Sequence, residues 1–459
     1  MAKKTVHKLK IDYLRYPDKG IAFLGDEEII VKHGLPGQVV EVECSRRRKQ
    51  KIGNILQVLE HAQEEAAGYS CTEFGACGGC SFLNIPYSYE LELKKGMVER
   101  LLKDYWNGAF PDVVPAPSPA NYRNKMEFSF GDQGQGLGKD SELALGIRKR
   151  NRYYEVAIPK DCALITADFK AILLATLEYF RQTTETFYHK MRHTGTLRYL
   201  VLRRGEFTGE VLVNLVTTGI SQNHLENWKA ALLKLPLEGN ITGILHTTST
   251  ALADAVVPDK LQTLWGRSHF YENICGLTFG ISPFSFFQTY SGGAELLYRT
   301  ISEFACRHGQ DFDISDKVYD LYCGTGTIAQ ILAPYAKEVV GIELVPEAVQ
   351  AAKENARKNS IDNCRFIAGD VLKTINENDF ASPDVLVLDP PRDGIHPKAL
   401  GKLIAFGAQK IIYVSCKPTS LARDLATFRE GGYHVTDLRI HDMFPRTPHV
   451  ETVVLLQKI

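Results

Sequence analysis

The residues best able to make and break covalent bonds stand in two stretches near the C-terminus, Tyr413-Val-Ser-Cys-Lys-Pro-Thr419 and Asp389-Pro-Pro-Arg-Asp-Gly394. A short apolar run, Ile411 to Val414, ends in a small polar turn that holds Cys416. An open α/β sheet presents side chains to a ligand at such a strand end. Cys416 is therefore a candidate nucleophile, set against the ordinary fate of a cysteine as an inert, partly buried thiol. A second group of thiols lies far upstream: Cys71-Thr-Glu-Phe-Gly-Ala-Cys77-Gly-Gly-Cys80. Three cysteines so close, with a glycine pair to let the backbone fold around a shared centre, point to a metal site rather than to packing. Zinc prefers two spaced pairs of ligands, whereas an iron-sulfur cluster often takes three close cysteines and a remote one. Cys162 is the best fourth ligand because Pro159-Lys-Asp-Cys-Ala163 reads as a polar turn, unlike the surroundings of Cys275, Cys306 and Cys364. Gaps of five and two residues do not match the spacing of a radical S-adenosylmethionine enzyme.

The last third of the chain alternates strands and helices, as in a doubly wound sheet. A strand from Lys317 to Leu321 runs into Cys323-Gly-Thr-Gly-Thr-Ile-Ala329, a G-x-G-x-x-A nucleotide-binding turn. A helix (Ile328 to Ala336) and a strand (Glu338 to Ile342) follow, ending in Glu343, placed to accept hydrogen bonds from two ribose hydroxyls. The next strands, Cys364 to Ile367 and Val385 to Leu388, end at Asp370, suitably placed for an adenine, and at Asp389. Acidic strand ends thus line one crevice. Such a turn serves NAD or S-adenosylmethionine. Its late position, its two glycines and its pairing with Asp-Pro-Pro favour S-adenosylmethionine.

Upstream, five short β-type runs between Lys8 and Leu59, separated by Asp-Lys-Gly, Gly-Asp-Glu and Leu-Pro-Gly turns, predict a small OB-type barrel. Such barrels bind single-stranded nucleic acid through a basic groove and aromatic platforms. Tyr13, Tyr16 and Phe23 are platforms or core, with at least one in the core. The 459-residue chain balances 54 basic against 54 acidic residues, but residues 1–52 hold twelve Lys or Arg against seven Asp or Glu. The knots Arg46-Arg-Arg-Lys-Gln-Lys51 and Arg148-Lys-Arg-Asn-Arg152 favour a phosphate backbone over a merely solvated face. An amphipathic helix (Tyr87 to Tyr105), a proline-rich linker (Asn107 to Pro119) and a mostly β, antiparallel central region (Tyr122 to Phe287) with one helix (Asp168 to Thr184) follow. Three domains are expected, 1–62, 63–290 and 291–459. No stretch approaches roughly eighteen uninterrupted apolar residues, and Met1-Ala-Lys-Lys-Thr-Val-His lacks the apolar core of a signal peptide. A soluble cytoplasmic monomer with no membrane partner is expected, its ten cysteines reduced, ligating or catalytic.

Asp-Pro-Pro followed by Tyr would suggest methylation of an exocyclic amine, with the ring stacked on a base. Here Arg392 follows, and a cysteine lies on the next strand. The C5 carbon of uracil is too weak a nucleophile to take a methyl group unaided. A thiolate added at C6 makes it reactive, and a base must then remove the C5 proton before the thiolate leaves.

With these residues the chain resembles the S-adenosylmethionine-dependent RNA uracil-5-methyltransferases, in the iron-sulfur 23S ribosomal RNA branch with an N-terminal TRAM domain. The resemblance rests on Gly20-Ile-Ala, Gly34-Leu-Pro-Gly-Gln-Val-Val, the four cysteines, Tyr122-Arg-Asn-Lys-Met126, Leu200-Val-Leu-Arg-Arg204, Phe286-Phe-Gln288, Asp320-Leu-Tyr-Cys-Gly-Thr-Gly326, Ser415-Cys416 and His449-Val-Glu451-Thr-Val. It implies an α/β methyltransferase domain of Rossmann type, with Cys416 as nucleophile and Glu451 as the base for the C5 proton. It implies Gln288, Tyr322, Thr327, Glu343, Asp370 and Asp389 around S-adenosylmethionine. Cys71, Cys77, Cys80 and Cys162 are implied to hold a 4Fe-4S cluster, with zinc the alternative. Lys417 stands where the family usually has Asn. The expected activity is formation of 5-methyluridine in 23S ribosomal RNA. A transfer RNA T-loop methyltransferase is the runner-up, and an RNA-binding or folding factor with incidental methylation is the reading from another class.

Overall fold

The structure is a computed structural model. It describes residues 5–47, 50–66, 71–134, 142–152, 155–252, 258–308, 311–312, 315–377 and 382–458. Arg48 and Lys49 of the first basic knot, and Tyr153 of an expected strand, lie outside the described residues.

Residues Thr5–Arg15, Lys19–Leu24, Glu27–Lys32, Val39–Arg47 and Gln50–Glu60 form a closed five-stranded barrel. Alternate residues point inward, so that Leu9, Ile11, Ala22, Ile29, Val31, Val40, Val42 and Cys44 form its core. The first and fourth strands pair antiparallel and the third and fifth pair parallel, which closes the sheet on itself. Gly34 is required by closeness: a Cβ there would lie 2.0 Å from the Ile11 side chain. Of the three aromatics, Tyr16 is buried but outside this core, and Phe23 is exposed.

The central region is a seven-stranded sheet in the order Lys260–Gly266, Asn240–Thr248, Glu210–Thr217, Leu197–Arg204, Lys125–Gly131, Ala144–Arg148, Val156–Ala157. It departs from the expected antiparallel pattern in one pair, since Glu210–Thr217 and Asn240–Thr248 run parallel. A parallel pair needs a crossover. The helix Gln222–Leu232 supplies it, burying Leu225, Trp228 and Leu232. The expected helix spans Ala167–Arg181, with the Thr166 side chain accepting from the Phe169 N–H at its start.

The last sheet has eight strands in the order Cys364–Ala368, Ala336–Glu343, Ser315–Leu321, Val385–Leu388, Lys410–Ser415, Glu451–Lys458, Tyr433–His441, Val113–Val114. The first five are mutually parallel, and Glu451–Lys458 is inserted antiparallel to both neighbours. Lys410–Ser415 is buried throughout, as befits a strand covered on both faces. The edge strand Val113–Val114 comes from the stretch expected to be a linker. The helix Tyr87–Leu102 packs Met97, Val98 and Leu102 into the same core, which also takes in Leu14, Tyr16 and Leu35 of the barrel. The barrel is therefore docked on the C-terminal sheet. Among the described residues, no helix is long and apolar enough to cross a membrane.

Candidate active site

Four parallel strands end at one edge of the last sheet, and each releases an expected residue there. Tyr322 follows Ser315–Leu321, Glu343 ends Ala336–Glu343, Asp389 follows Val385–Leu388, and Cys416 follows Lys410–Ser415. Glu451 begins the antiparallel strand, so it starts at the same edge. The ladder between Lys410–Ser415 and Glu451–Lys458 pairs Lys410 with Gln457 and continues to Ser415 with Thr452. Cys416 and Glu451 are the next residues beyond that last rung, and the two side chains are close enough for the carboxylate to act on the thiol. Burial on both faces of this strand explains why Glu451 is the lone acid before an apolar run. Its neighbours Thr452 to Leu456 are core, and only the strand's first residue reaches the crevice.

Burial favours the neutral forms of these groups. It pushes the Cys416 thiol up to about 11, reinforced by the Glu451 and Asp389 carboxylates and opposed by the charge and hydrogen bond of Arg392. Glu451 is raised well above the usual carboxylate range by burial and then by Asp389, again opposed by Arg392. Burial raises Asp389 to about 7. Arg392, which follows the two prolines, thus acts on both Cys416 and Glu451. The helix Pro418–Glu430 starts two residues after Cys416, and its N-terminal dipole favours the thiolate. Lys417, at the N-cap, exchanges hydrogen bonds with the Ser415 hydroxyl through its own backbone.

The glycine turn has the form its sequence predicted. Tyr322, Gly324 and Gly326 all have positive φ, of 68°, 53° and 74°. A Cβ at Gly326 would lie 2.6 Å from the Phe366 ring, whereas one at Gly324 would meet open space. Glu343 accepts from the N–H groups of Gly324 and Val345, at 3.1 and 2.9 Å. Thr327 is buried at the start of the short helix Thr327–Leu332. Asp370 is exposed, and its carboxylate accepts from the Lys373 N–H. Asp320 was quoted only as part of a motif, yet it is fully buried behind the turn. One of its oxygens accepts from the Ala329 N–H at 3.0 Å, and the other has no partner among the described residues. Burial, then Asp389, raises its pKa far above normal. An orphaned acceptor of this kind suits a ligand with N–H donors.

Gln288 is buried beside the sheet, and the central domain holds it there. Asn124 donates to the Gln288 carbonyl and to the Ser291 hydroxyl, both at 3.0 Å. Ser291 in turn donates to Glu272 at 2.5 Å. Arg203 donates to the carbonyls of Ser282 and Ser285, each at 2.7 Å. Residues 122–126 and 200–204, two stretches that carried the resemblance, thus anchor the loop carrying Phe286-Phe-Gln288. Phe286 projects from it, 70% exposed.

A model of the tRNA (uracil-5-)-methyltransferase family matches residues 285–459. A curated relative, an uncharacterized RNA methyltransferase of Clostridium tetani, is 44% identical over 462 residues, covering 100% of this chain and 99% of its own length. This chain belongs to the RNA uracil-5-methyltransferase family. A relative of the same description from Bacteroides thetaiotaomicron is 33% identical across 96% of this chain and 98% of its own. Among solved structures, the tRNA (uracil-54, C5)-methyltransferase of Pyrococcus abyssi in complex with S-adenosyl-L-homocysteine superposes with a TM-score of 0.76 at 25% identity. That likeness covers 98% of this chain and 100% of the other. The expected class, an RNA methyltransferase with a Rossmann-like domain, stands at that level.

In this family member the four expected ligand cysteines ring one pocket, lined by Cys71, Cys77, Cys80 and Cys162 with Phe74, Ile147 and Pro159. Burial, then the neighbouring thiols, pushes Cys80 to about 12; burial also takes Cys77 to about 11 and raises Cys71. The N–H groups of Gly79 and Leu164 point at the sulfurs of Cys77 and Cys162, at 3.3 and 3.4 Å. The left-handed residue of the loop is Gly75, not the glycine pair. Arg150, expected to face phosphate, instead donates to the carbonyls of Cys77 and Cys80. Among the described residues, no group of three side chains is disposed to hold a single metal ion. The four thiols line this one small pocket together, the donor set that either an iron-sulfur cluster or zinc takes.

Proposed function

We propose that this protein methylates C5 of a uridine in 23S ribosomal RNA, with S-adenosylmethionine as methyl donor. The observation that carries the reading is that Cys416 and Glu451 meet at the carboxyl edge, just past the last rung of one ladder. A nucleophile and a base at the neighbouring ends of two paired strands suit a reaction that needs both on one small ring. The thiolate of Cys416 adds to C6 of uracil, which makes C5 nucleophilic. Arg392 favours that thiolate, and its charge also offsets the growing negative charge in the crevice. When bound, S-adenosylmethionine supplies an electrophilic methyl group. Asp320, Tyr322, Thr327, Glu343, Asp370, Asp389 and Gln288 are the residues proposed to hold it. Once C5 carries its new methyl group, Glu451 removes the C5 proton, the C5–C6 double bond re-forms and Cys416 leaves.

The barrel, residues 1–62, is proposed as a TRAM-type RNA contact, followed by a cysteine-containing central domain (63–290) and the methyltransferase domain (291–459). Cys71, Cys77, Cys80 and Cys162 are proposed to hold a 4Fe-4S cluster of structural role. Cys71, Cys77 and Cys80 are raised by burial and by their neighbouring thiols, which makes them unfavourable as thiolates until a cationic group takes them and supports this assignment. The cysteine loop also reaches the chemistry. The N–H groups of Ser81 and Phe82, next to Cys80, donate to the Arg446 carbonyl at 2.9 and 3.2 Å, on the loop that leads to Glu451.

The likeness to the Pyrococcus abyssi enzyme favours a second reading, a uridine in a transfer RNA. Because that likeness covers nearly all of this chain, the barrel does not separate the two substrates. Anaerobically purified protein incubated with S-adenosylmethionine and transcripts containing 5-fluorouridine separates them, since fluorine at C5 cannot leave as a proton. A covalent adduct at Cys416 with a 23S fragment supports the first reading; an adduct with transfer RNA alone moves the substrate to the second. An adduct with neither overturns the nucleophile assignment.

A further inference from the structure

Cys416 and Glu451 lie one position beyond the last backbone-paired rung of their two strands, Ser415 with Thr452. Past that point the two chains part. One enters the turn to the helix Pro418–Glu430, and the other comes from the loop 442–450. A side chain from the barrel bridges the gap. The Tyr16 hydroxyl lies 3.2 Å from the carbonyl oxygen of Cys416 and 3.3 Å from Nδ1 of His449.

These two contacts fix the direction of the hydrogen bonds. A carbonyl can only accept, so the single phenol proton goes to Cys416. The phenol oxygen then accepts from His449, which must carry its proton on Nδ1. The chain His449 to Tyr16 to Cys416 joins the residue two before Glu451 to the backbone of the nucleophile. Tyr16 is placed for this, being 7% exposed and packed with the C-terminal core rather than the barrel core. Its ring meets His449 edge-on at 6.4 Å, and His449 meets Phe444 in the same way at 6.2 Å. A second tie comes from the same barrel turn. Asp18 accepts from the Ser81 hydroxyl at 3.3 Å, and the Ser81 N–H donates to the Arg446 carbonyl.

We infer that Tyr16 is a positioning residue of the methyl-transfer site: its hydroxyl clasps the open end of the ladder and sets the distance between nucleophile and base. The barrel therefore completes the site as well as meeting RNA. This rests on the reading of Cys416 as nucleophile and Glu451 as base.

The test uses full-length protein and whichever transcript, 23S fragment or transfer RNA, the wild type methylates. Tyr16→Phe should lower kcat about tenfold, as loss of a positioning hydrogen bond does, with KM for the RNA within about twofold of wild type. His449→Ala should lower kcat similarly, and the double variant should be no slower than the slower single one, because both break one chain. His449→Asn, which keeps an N–H donor near the Nδ1 position, should recover most of the rate. Wild-type kcat in Tyr16→Phe would overturn the inference; so would a loss confined to KM, or single losses that multiply in the double variant. A wild-type protein that methylates neither transcript counts against the proposed function instead, and is recognised before any variant is made.

Discussion

Cys416 and Cys80 are both withdrawn from water, and burial is the first cause that pushes their thiols up, to about 11 and about 12. Their neighbours differ. Cys80 faces three more thiols, and each would resist a second negative charge nearby. Only a group that takes all four as thiolates relieves that arrangement. Cys416 meets a carboxylate just past the last ladder rung and has a guanidinium in hydrogen-bond reach. Moving one proton and drawing on Arg392 relieves it. Burial alone therefore does not set a thiol's role: crowding by like groups suits the proposed ligand, and meeting unlike groups suits the proposed nucleophile.

The largest expected effects break the comparison at its two cysteines. Cys416→Ala should abolish turnover, by at least roughly four orders of magnitude, with melting temperature and iron content unchanged. Cys80→Ser should do the reverse. Iron content measured after anaerobic purification should fall to background, and the melting temperature should drop by about 5 °C or more. Iron at wild-type level in Cys80→Ser would remove the ligand half of the comparison. Next in size, Glu451→Gln should slow release of the methylated product by about 10²–10⁴-fold, so that a covalent RNA adduct accumulates with unmodified uridine. Rapid turnover without adduct would show that another group takes the C5 proton.

The two cysteine sites also differ in how much of them the sequence disclosed. Close spacing made Cys71, Cys77 and Cys80 visible at once, and Cys162 does line the same pocket. The catalytic edge was legible because strand ends can be read from where apolar runs stop, and acidic residues stood at those stops. The barrel strands lie within a few residues of expectation for the same reason, since period-two alternation marks them. What stayed hidden depends on contacts across long chain separations. Tyr16 lies 400 residues from Cys416. Arg203 reads as one more strand residue until its carbonyl partners at Ser282 and Ser285 are known. Arg150 looked like a phosphate contact because a charge run does not reveal which carbonyls it will meet. The crossover helix Gln222–Leu232 was the exception, since Leu225, Trp228 and Leu232 carry a helical spacing that could have been found.

Smaller effects sharpen the electrostatic side. Arg392 opposes the rise of both Cys416 and Glu451, so Arg392→Gln should move the alkaline limb of kcat/KM upward by about one pH unit. The rate near neutral pH should fall about tenfold. In the wild type, kcat/KM should rise from pH 6.5 to 9, because a thiol raised to about 11 is mostly protonated throughout that range. A flat profile across it would mean that the reacting thiol is already ionised in the free enzyme.

The smallest expected effect concerns stability. Glu451 has a folded pKa well above its usual value near 4.3, chiefly through burial. A carboxyl of this kind binds its proton more tightly when folded. Its charge therefore costs nothing below the unfolded pKa, and the penalty grows as pH rises, becoming complete above the folded pKa. Glu451→Gln removes the penalty while keeping the shape, so it should raise the melting temperature by roughly 2 °C at pH 8 and leave it unchanged at pH 4. The cysteine ring should respond oppositely: Cys80→Ser loses stability along with its bound group at either pH. If Glu451→Gln were less stable than wild type at pH 8, the carboxylate would be held by favourable contacts, and the site would not be the strained, uncompensated pair that catalysis by proton removal requires.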